Sequence, residues 1–228
     1  MLVLVGAGTG CSSSEEAPSR ADDALVVMTT SETLAVAGED RKPGTIPGMD
    51  LAIVREVAAR LGKKLEIRTA GFPSLLPAVK RGDVDFAAAM IVITPSRARD
   101  VDFSDAYARD GSAFLYRAGA TCPTVPTAFL HRVGVQTASI SQLYLCAHGI
   151  DTICYETYDE TIREFAAGHL DAVFNDAATL RATVEASKGA WAMTDLVTRA
   201  RYGIAVGKDK RELLDALNDV IRTWKEPR

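Results

Sequence analysis

The 228-residue chain has little of what redox, metal or covalent chemistry requires. Its three histidines, His131, His148 and His169, show no metal-ligand spacing, and no Cys-x-x-Cys pair occurs. No G-x-S-x-G elbow presents a serine nucleophile. Basic residues never run beyond a pair such as Lys63-Lys64, and the formal net charge is -4. That balance excludes the clustered Lys and Arg that duplex or polyphosphate binding requires. No stretch approaches the roughly 18–20 apolar residues of a membrane-spanning helix. Neither cofactor, metal nor nucleic acid is expected.

The composition is that of a globular protein, 47% hydrophobic and 25% charged, and the length suits one large domain or two small lobes. The start, "MLVLVGAGTGC", opens two readings. Gly6, Gly8 and Gly10 after "LVLV" mimic a strand entering a glycine-rich nucleotide loop, but the polar "CSSSEEAPSR" that follows lacks the helix such a loop needs. The better reading is the tail of a lipoprotein signal over residues 1–11, with Cys11 as lipidation site and residues 12–23 as a tether. Gly8 stands where leucine is usual in such a signal, and a basic leader is missing. A lipid on Cys11 would hold an extracytoplasmic protein on the membrane surface. Of the remaining cysteines, Cys146 late in an expected helix and Cys154 in the next expected strand are the pair expected to bridge in an oxidising compartment. The alternative is that Cys122, Cys146 and Cys154 are small buried apolar side chains.

From residue 24 the pattern alternates strand and helix. "ALVVMTT" (24–30) reads as a buried strand, and "MDLAIVREVAARLG" (49–62) as a helix with Leu51, Val54, Ala58 and Leu61 on one face. Asp50 is placed to cap that helix and Gly62 to stop it. "KKLEIRTA" is an alternating strand, "FPSLLPAVKRG" (72–82) a short helix, and "VDFAAAMIVI" (84–93) a second buried strand. This β-α-β-α-β order predicts a parallel sheet. "LLPAVKRGDVDFAAAM" (75–90) and "TIREFAAGHLDAVFND" (161–176) share helix, glycine, turn, aspartate and apolar strand. Two α/β lobes are expected. "RYGIAVGKD" (201–209) reads as a late strand and residues 210–226 as a final amphipathic helix.

Ligands in open α/β sheets bind beyond the carboxyl ends of strands. In "ITPSRARDVDFSDAY" (93–107), Thr94 is a natural N-cap, Pro95 fits a first helical turn, and Arg97 follows. A guanidinium beside free helix-start N–H groups can grip a carboxylate; equally, it can pair with Asp100, Asp102 or Asp105. "QTASISQ" (136–142) opens another helix, either leaving N–H groups for an anion or capped by Thr137 or Ser139. Asp176 can meet a cation or cap the helix after it, and Phe72 can wall a ligand or pack in the core.

The order and spacing of "GMDLAIVREVAARLG", "FPSLLPAVKRGDVDFAAAMIVITPSRARDVDFSDAY", "RVGVQTASISQ", "YDETIREFAAGHLDAVFND" and "RYGIAVGKD" resemble family 3 extracellular solute-binding proteins over residues 24 to about 222. These are the receptor components of polar amino-acid ABC importers. The resemblance implies an α/β type 2 periplasmic-binding-protein fold, with two lobes joined by a two-strand hinge. Lobe 1 would span 24–109 plus 201–228, and lobe 2 would span 110–200. A monomer would close on an amino acid or related zwitterion and deliver it to a membrane permease.

The resemblance also implies site roles. Arg97 takes the ligand carboxylate, Ala138, Ser139 and Ile140 add backbone N–H groups, Asp176 takes the α-ammonium, and Phe72 forms an aromatic wall. Where the family carries small or hydroxyl residues that help hold the ammonium, this chain has Met90 and Val92. The Met90 carbonyl can still accept a bond; the Val92 side chain cannot. One lost charged hydrogen bond costs about 1.5–3 kcal/mol, roughly ten- to a hundredfold in affinity. Thr30 and Thr33 stand where the family has an acidic and an aromatic residue. Two alternatives stand beside this reading: an enzyme resembling cyclohexadienyl dehydratases, which share the strand-to-arginine block on the same fold, and, suggested by Met90, Val92 and Thr33, a sensory or scaffold homologue that has lost its ligand.

Overall fold

The computed structural model describes residues 24–37 and 46–224. The expected signal, the expected tether and Cys11 lie outside the described residues. The chain opens with β1 (Ala24–Thr29), helix α1 (Ser31–Val36), helix α2 (Met49–Arg60), β2 (Lys64–Thr69), helix α3 (Phe72–Arg81) and β3 (Phe86–Ala87). β1 pairs in parallel with β2 from Ala24↔Lys64 to Thr29↔Thr69 and with β3 at Val27↔Phe86. Strand alternation sends Leu25 and Val27 to one face, against Leu51, Val54 and Val57 of α2. Val26 points to the other, against Leu75, Ala78 and Val79 of α3. This two-faced burial is what a parallel sheet with crossover helices demands.

After β4 (Asp102–Phe103) the chain crosses on β5 (Ala108–Asp110) into a second sheet. This is built from β6 (Ser112–Arg117), β7 (Val133–Gln136), helix α4 (Ile140–Ala147), β8 (Ile153–Tyr155), helix α5 (Tyr158–Ala167), β9 (Ala172–Asp176), helix α6 (Ala177–Ala186) and β10 (Trp191–Met193). The chain returns on β11 (Ala200–Tyr202), adds β12 (Ala205–Val206) to the first sheet, and ends in helix α7 (Arg211–Thr223). The sheet orders are β2-β1-β3-β12-β4 and β10-β6-β9-β7-β8, and β5 pairs antiparallel with β11 between them. The result is two α/β lobes bridged by two strands, the type 2 periplasmic-binding fold.

The internal repeat has a physical cause. Gly82 and Gly168 end α3 and α5 in the left-handed conformation, at φ 79° and 87°, where glycine carries no Cβ penalty. Three residues on, each aspartate pins the neighbouring parallel strand: Asp85 accepts the Val26 N–H at 2.8 Å, and Asp171 the Arg132 N–H at 2.8 Å.

Several expectations need correction. The strand expected over 84–93 forms a ladder at Phe86–Ala87 and a single antiparallel bridge at Val92↔Tyr202, although residues 84–92 are buried. Met90 at φ 50° breaks the extended run. Asp50 does not cap α2; Gly48 holds the cap position, and Asp50 is buried one residue inside the helix. Leu61 is exposed. The strand expected over 201–209 divides into β11 and β12. Cys122, Cys146 and Cys154 are free and exposed, so the expected Cys146–Cys154 bridge is not formed, and the thiols are not core residues either. Cys146 sits in the last turn of α4, whereas the Cys154 Sγ meets the Gln142 Nε2 at 3.0 Å, one turn earlier. A disulfide needs its sulfurs about 2 Å apart.

Candidate functional site

The cleft between the lobes collects the carboxyl ends of β1, β3, β7 and β9. Arg97 enters it from a short 3₁₀ turn, Arg97–Arg99, instead of a full helix. Thr94 still acts at the turn's start, where its hydroxyl accepts the Arg97 N–H at 3.2 Å. The guanidinium donates to the Val92 carbonyl at 2.9 Å and, across the cleft, to the Ala138 carbonyl at 3.1 Å. Its Cζ lies 5.7 Å from the Phe72 ring centre. Asp100 pairs instead with Lys80 at 2.7 Å, and Asp105 faces Arg222 at 3.9 Å. No ion pair among the described residues involves Arg97. Burial pulls its pKa below the usual value, opposed by the charge of Asp176.

The facing turn comes from the second lobe. Ala138 holds φ 60°, a left-handed conformation costing a non-glycine residue roughly 1–2 kcal/mol. Its N–H is taken by the Gln142 Oε1 at 2.7 Å. Ser139, not Thr137, caps α4, accepting the Gln142 N–H at 3.1 Å. Ile140 begins the helix and lines the cavity.

Asp176 stands at the cap position of α6 but makes no side-chain cap bond. Its Oδ1 accepts the Tyr202 O–H at 2.6 Å. Burial pushes its pKa up to about 6; the Tyr202 bond opposes this, Asp110 adds to it, and Arg97 opposes it. Asp110 is itself clamped by both terminal nitrogens of Arg181, at 2.8 and 3.0 Å. Met90, Val92, Ala178, Ala200 and Tyr202 pack together beside this carboxylate. Met90 is the second non-glycine residue of the cleft at positive φ, 50°. Backbone strain of this kind persists where surrounding structure over-determines it.

Thr30 and Thr33 line the cavity and are bonded to each other, hydroxyl to hydroxyl at 3.1 Å. Phe72 is half-buried at the first position of α3, packed on the core while one face meets Arg97. The cavity has a volume of about 50 Å³. All ten residues singled out from the sequence meet at this cleft except Ala138, which reaches it through its carbonyl bond to Arg97.

The sequence pointed to the strand ends that carry Gln136 and Asn175 without giving those side chains a role, and it did not point to Glu32, Ala89, Tyr158 or Thr179; all six also line the cavity. Glu32 Oε1 accepts the Tyr158 N–H at 3.0 Å, joining the lobes at the start of α5. Tyr202 was visible only as part of a late strand of the first lobe; its hydroxyl role depends on a partner 26 residues away. Among the described residues no group of three or more His, Cys, Asp or Glu side chains is arranged to hold a metal. No described helix is long and apolar enough to cross a membrane.

Residues 25–227 match the family of bacterial extracellular solute-binding proteins, family 3. The chain is 25% identical over 210 residues to the glutamine-binding protein of an ABC transporter of Bacillus subtilis (strain 168), covering 90% of this chain and 77% of that one. It is 26% identical over 240 residues to the lysine/arginine/ornithine-binding periplasmic protein of Escherichia coli (strain K12), covering 97% and 88%. The fold is similar to that of arginine-bound, truncated ArgBP from T. maritima, with a TM-score of 0.79 and 28% identity. That match covers 89% of this chain and 97% of the other.

Proposed function

The chain belongs to family 3 of the bacterial extracellular solute-binding proteins, and on that premise we propose that it binds an α-amino acid in the interlobe cleft and delivers it to an ABC permease. The observation that carries this reading is Arg97: a half-buried guanidinium bonded to two backbone carbonyls, with the charge of Asp176 nearby but no ion pair among the described residues. A charge partly withdrawn from water without a direct ion-pair partner is costly, and a ligand carboxylate would supply that partner in bidentate form. The Ile140 backbone amide sits on the same turn, at the start of α4; the Ala138 and Ser139 amides donate to the Gln142 Oε1 and the Gln136 carbonyl.

Asp176, when ionised, takes the α-ammonium from the other side, joined by the Met90 carbonyl. Phe72 and Tyr158 flank the side-chain end of the cavity, next to Glu32. Relatives named for glutamine and for basic amino acids agree with a zwitterion as ligand class. The receptor acts as a monomer outside the cytoplasm, held by lipid on Cys11. Calorimetric titration with the twenty L-amino acids tests the reading, and at least one should bind with an affinity that Arg97→Ala removes.

One observation favours an enzyme on this fold. Asp176, held near 6, is a carboxyl that can be protonated close to neutral pH and so can serve as a general acid. Product formation from prephenate or arogenate would establish that activity; its absence beside amino-acid binding leaves the receptor.

A further inference from the structure

Asp50 is a fully buried carboxylate that no ion pair reaches among the described residues. It lies behind the wall of the cleft and does not line it. Its Oδ2 accepts the Met90 N–H at 2.8 Å and the Tyr107 O–H at 3.2 Å, while Oδ1 accepts the Leu51 N–H at 2.9 Å. A buried carboxylate without a cation is an expensive way to fill a helix face that alanine or leucine would fill at no electrostatic cost. Burial raises its pKa, and the hydrogen bonds from Met90, Leu51, Tyr107 and its own N–H pull it back.

What it holds is the backbone of Met90, kept at φ 50° at the edge of the cavity. No described residue donates a hydrogen bond to the Met90 carbonyl. The side chains at 90 and 92 carry no hydroxyl, so that carbonyl is the acceptor on the first lobe's side of the ammonium position. Tyr107 ties the arrangement to the hinge. Its N–H donates to the Tyr202 carbonyl at 3.1 Å, and the Tyr202 hydroxyl in turn holds Asp176. Adjacent phenols thus hold one carboxylate on each side of the position where the ammonium would lie.

We propose that Asp50 is a positioning residue for ammonium recognition: by anchoring the Met90 N–H, it fixes the backbone conformation that turns the Met90 carbonyl to the ligand. This rests on the reading that the cleft takes an α-amino acid. It assigns Asp50 to one half of the zwitterion, leaving the carboxylate grip of Arg97 untouched.

The test compares two probes: the strongest binder among the twenty L-amino acids, and the carboxylic acid lacking only its α-amino group. Both are titrated by calorimetry into wild type and Asp50→Asn, using displacement where binding is weak. The expected result is a loss of about tenfold or more for the amino acid and less than about twofold for the des-amino acid, the size of one charge-assisted contact. A merely structural role would weaken both alike, and equal losses, or none, overturn the proposal. If Asp50→Asn does not fold, Tyr107→Phe removes one donor to the same oxygen and is judged by the same selective pattern at smaller amplitude. If wild type binds none of the twenty, the receptor reading fails and this inference fails with it. Binding with uniform losses defeats the inference alone.

Discussion

Glu32 Oε1 and the Tyr158 N–H meet at 3.0 Å, a bond between residues 126 apart that spans the two lobes. Tyr158 opens α5, so the carboxylate sits at the positive end of a ten-residue helix. This contact favours the closed arrangement. Glu32→Gln keeps the shape and removes the charge, and should weaken amino-acid binding about three- to tenfold, in line with roughly 1 kcal/mol for a charge at a helix start. Small-angle scattering on the ligand-free protein should show a larger radius of gyration in the variant. An unchanged affinity would remove Glu32 from the closing contacts.

Asp176 makes binding depend on pH. Its folded-state pKa, about 6, lies above the ordinary 3.8, so the native state binds more protons than the unfolded state between those values. The resulting stability is fully present below pH 3.8 and is lost as pH rises through 6. At neutral pH, the ionised carboxylate therefore destabilises the ligand-free protein by up to about 3 kcal/mol. Asp176→Asn should raise the ligand-free melting temperature at pH 7 while lowering amino-acid affinity at least tenfold. Wild-type affinity should fall as pH drops below 6, because only the charged form takes an ammonium. A flat affinity between pH 5 and 8 would contradict the assigned role.

Val92 is a place where function can be added. It lines the same cavity as Asp176 and packs with Met90, Ala178, Ala200 and Tyr202. Val92→Ser supplies a hydroxyl on the ammonium side and should tighten amino-acid binding about tenfold, the value of one hydrogen bond to a charged group. Binding of the des-amino acid should stay the same. A variant that weakens both probes would show that the pocket needs the valine's shape more than another acceptor.

Much of the fold was legible because its causes are local. The helix-glycine-aspartate-strand unit needs only a left-handed cap and a carboxylate three residues on, and both copies form that cap and that carboxylate bond, though the strand of the first is shorter than read. Arg97 was legible as a cation near a strand end. Its freedom from Asp100 was not, because that depends on Lys80, twenty residues away, reaching Asp100 first. Asp50 looked like a cap because aspartate near a helix start usually is one; its bond to Met90 spans forty residues and required the fold. Glu32, Tyr158 and Tyr202 were missed for the same reason, since their roles arise only when the lobes meet around the hinge.

The central claim is that Arg97 holds the carboxylate of an amino acid. The direct measurement is a calorimetric titration of the twenty L-amino acids into wild type, Arg97→Ala and Arg97→Lys. Wild type should bind at least one, Arg97→Ala should show no measurable heat, and Arg97→Lys should lose affinity because a point charge replaces a bidentate fork. Undiminished binding in Arg97→Ala, or no binding in wild type, would contradict the account.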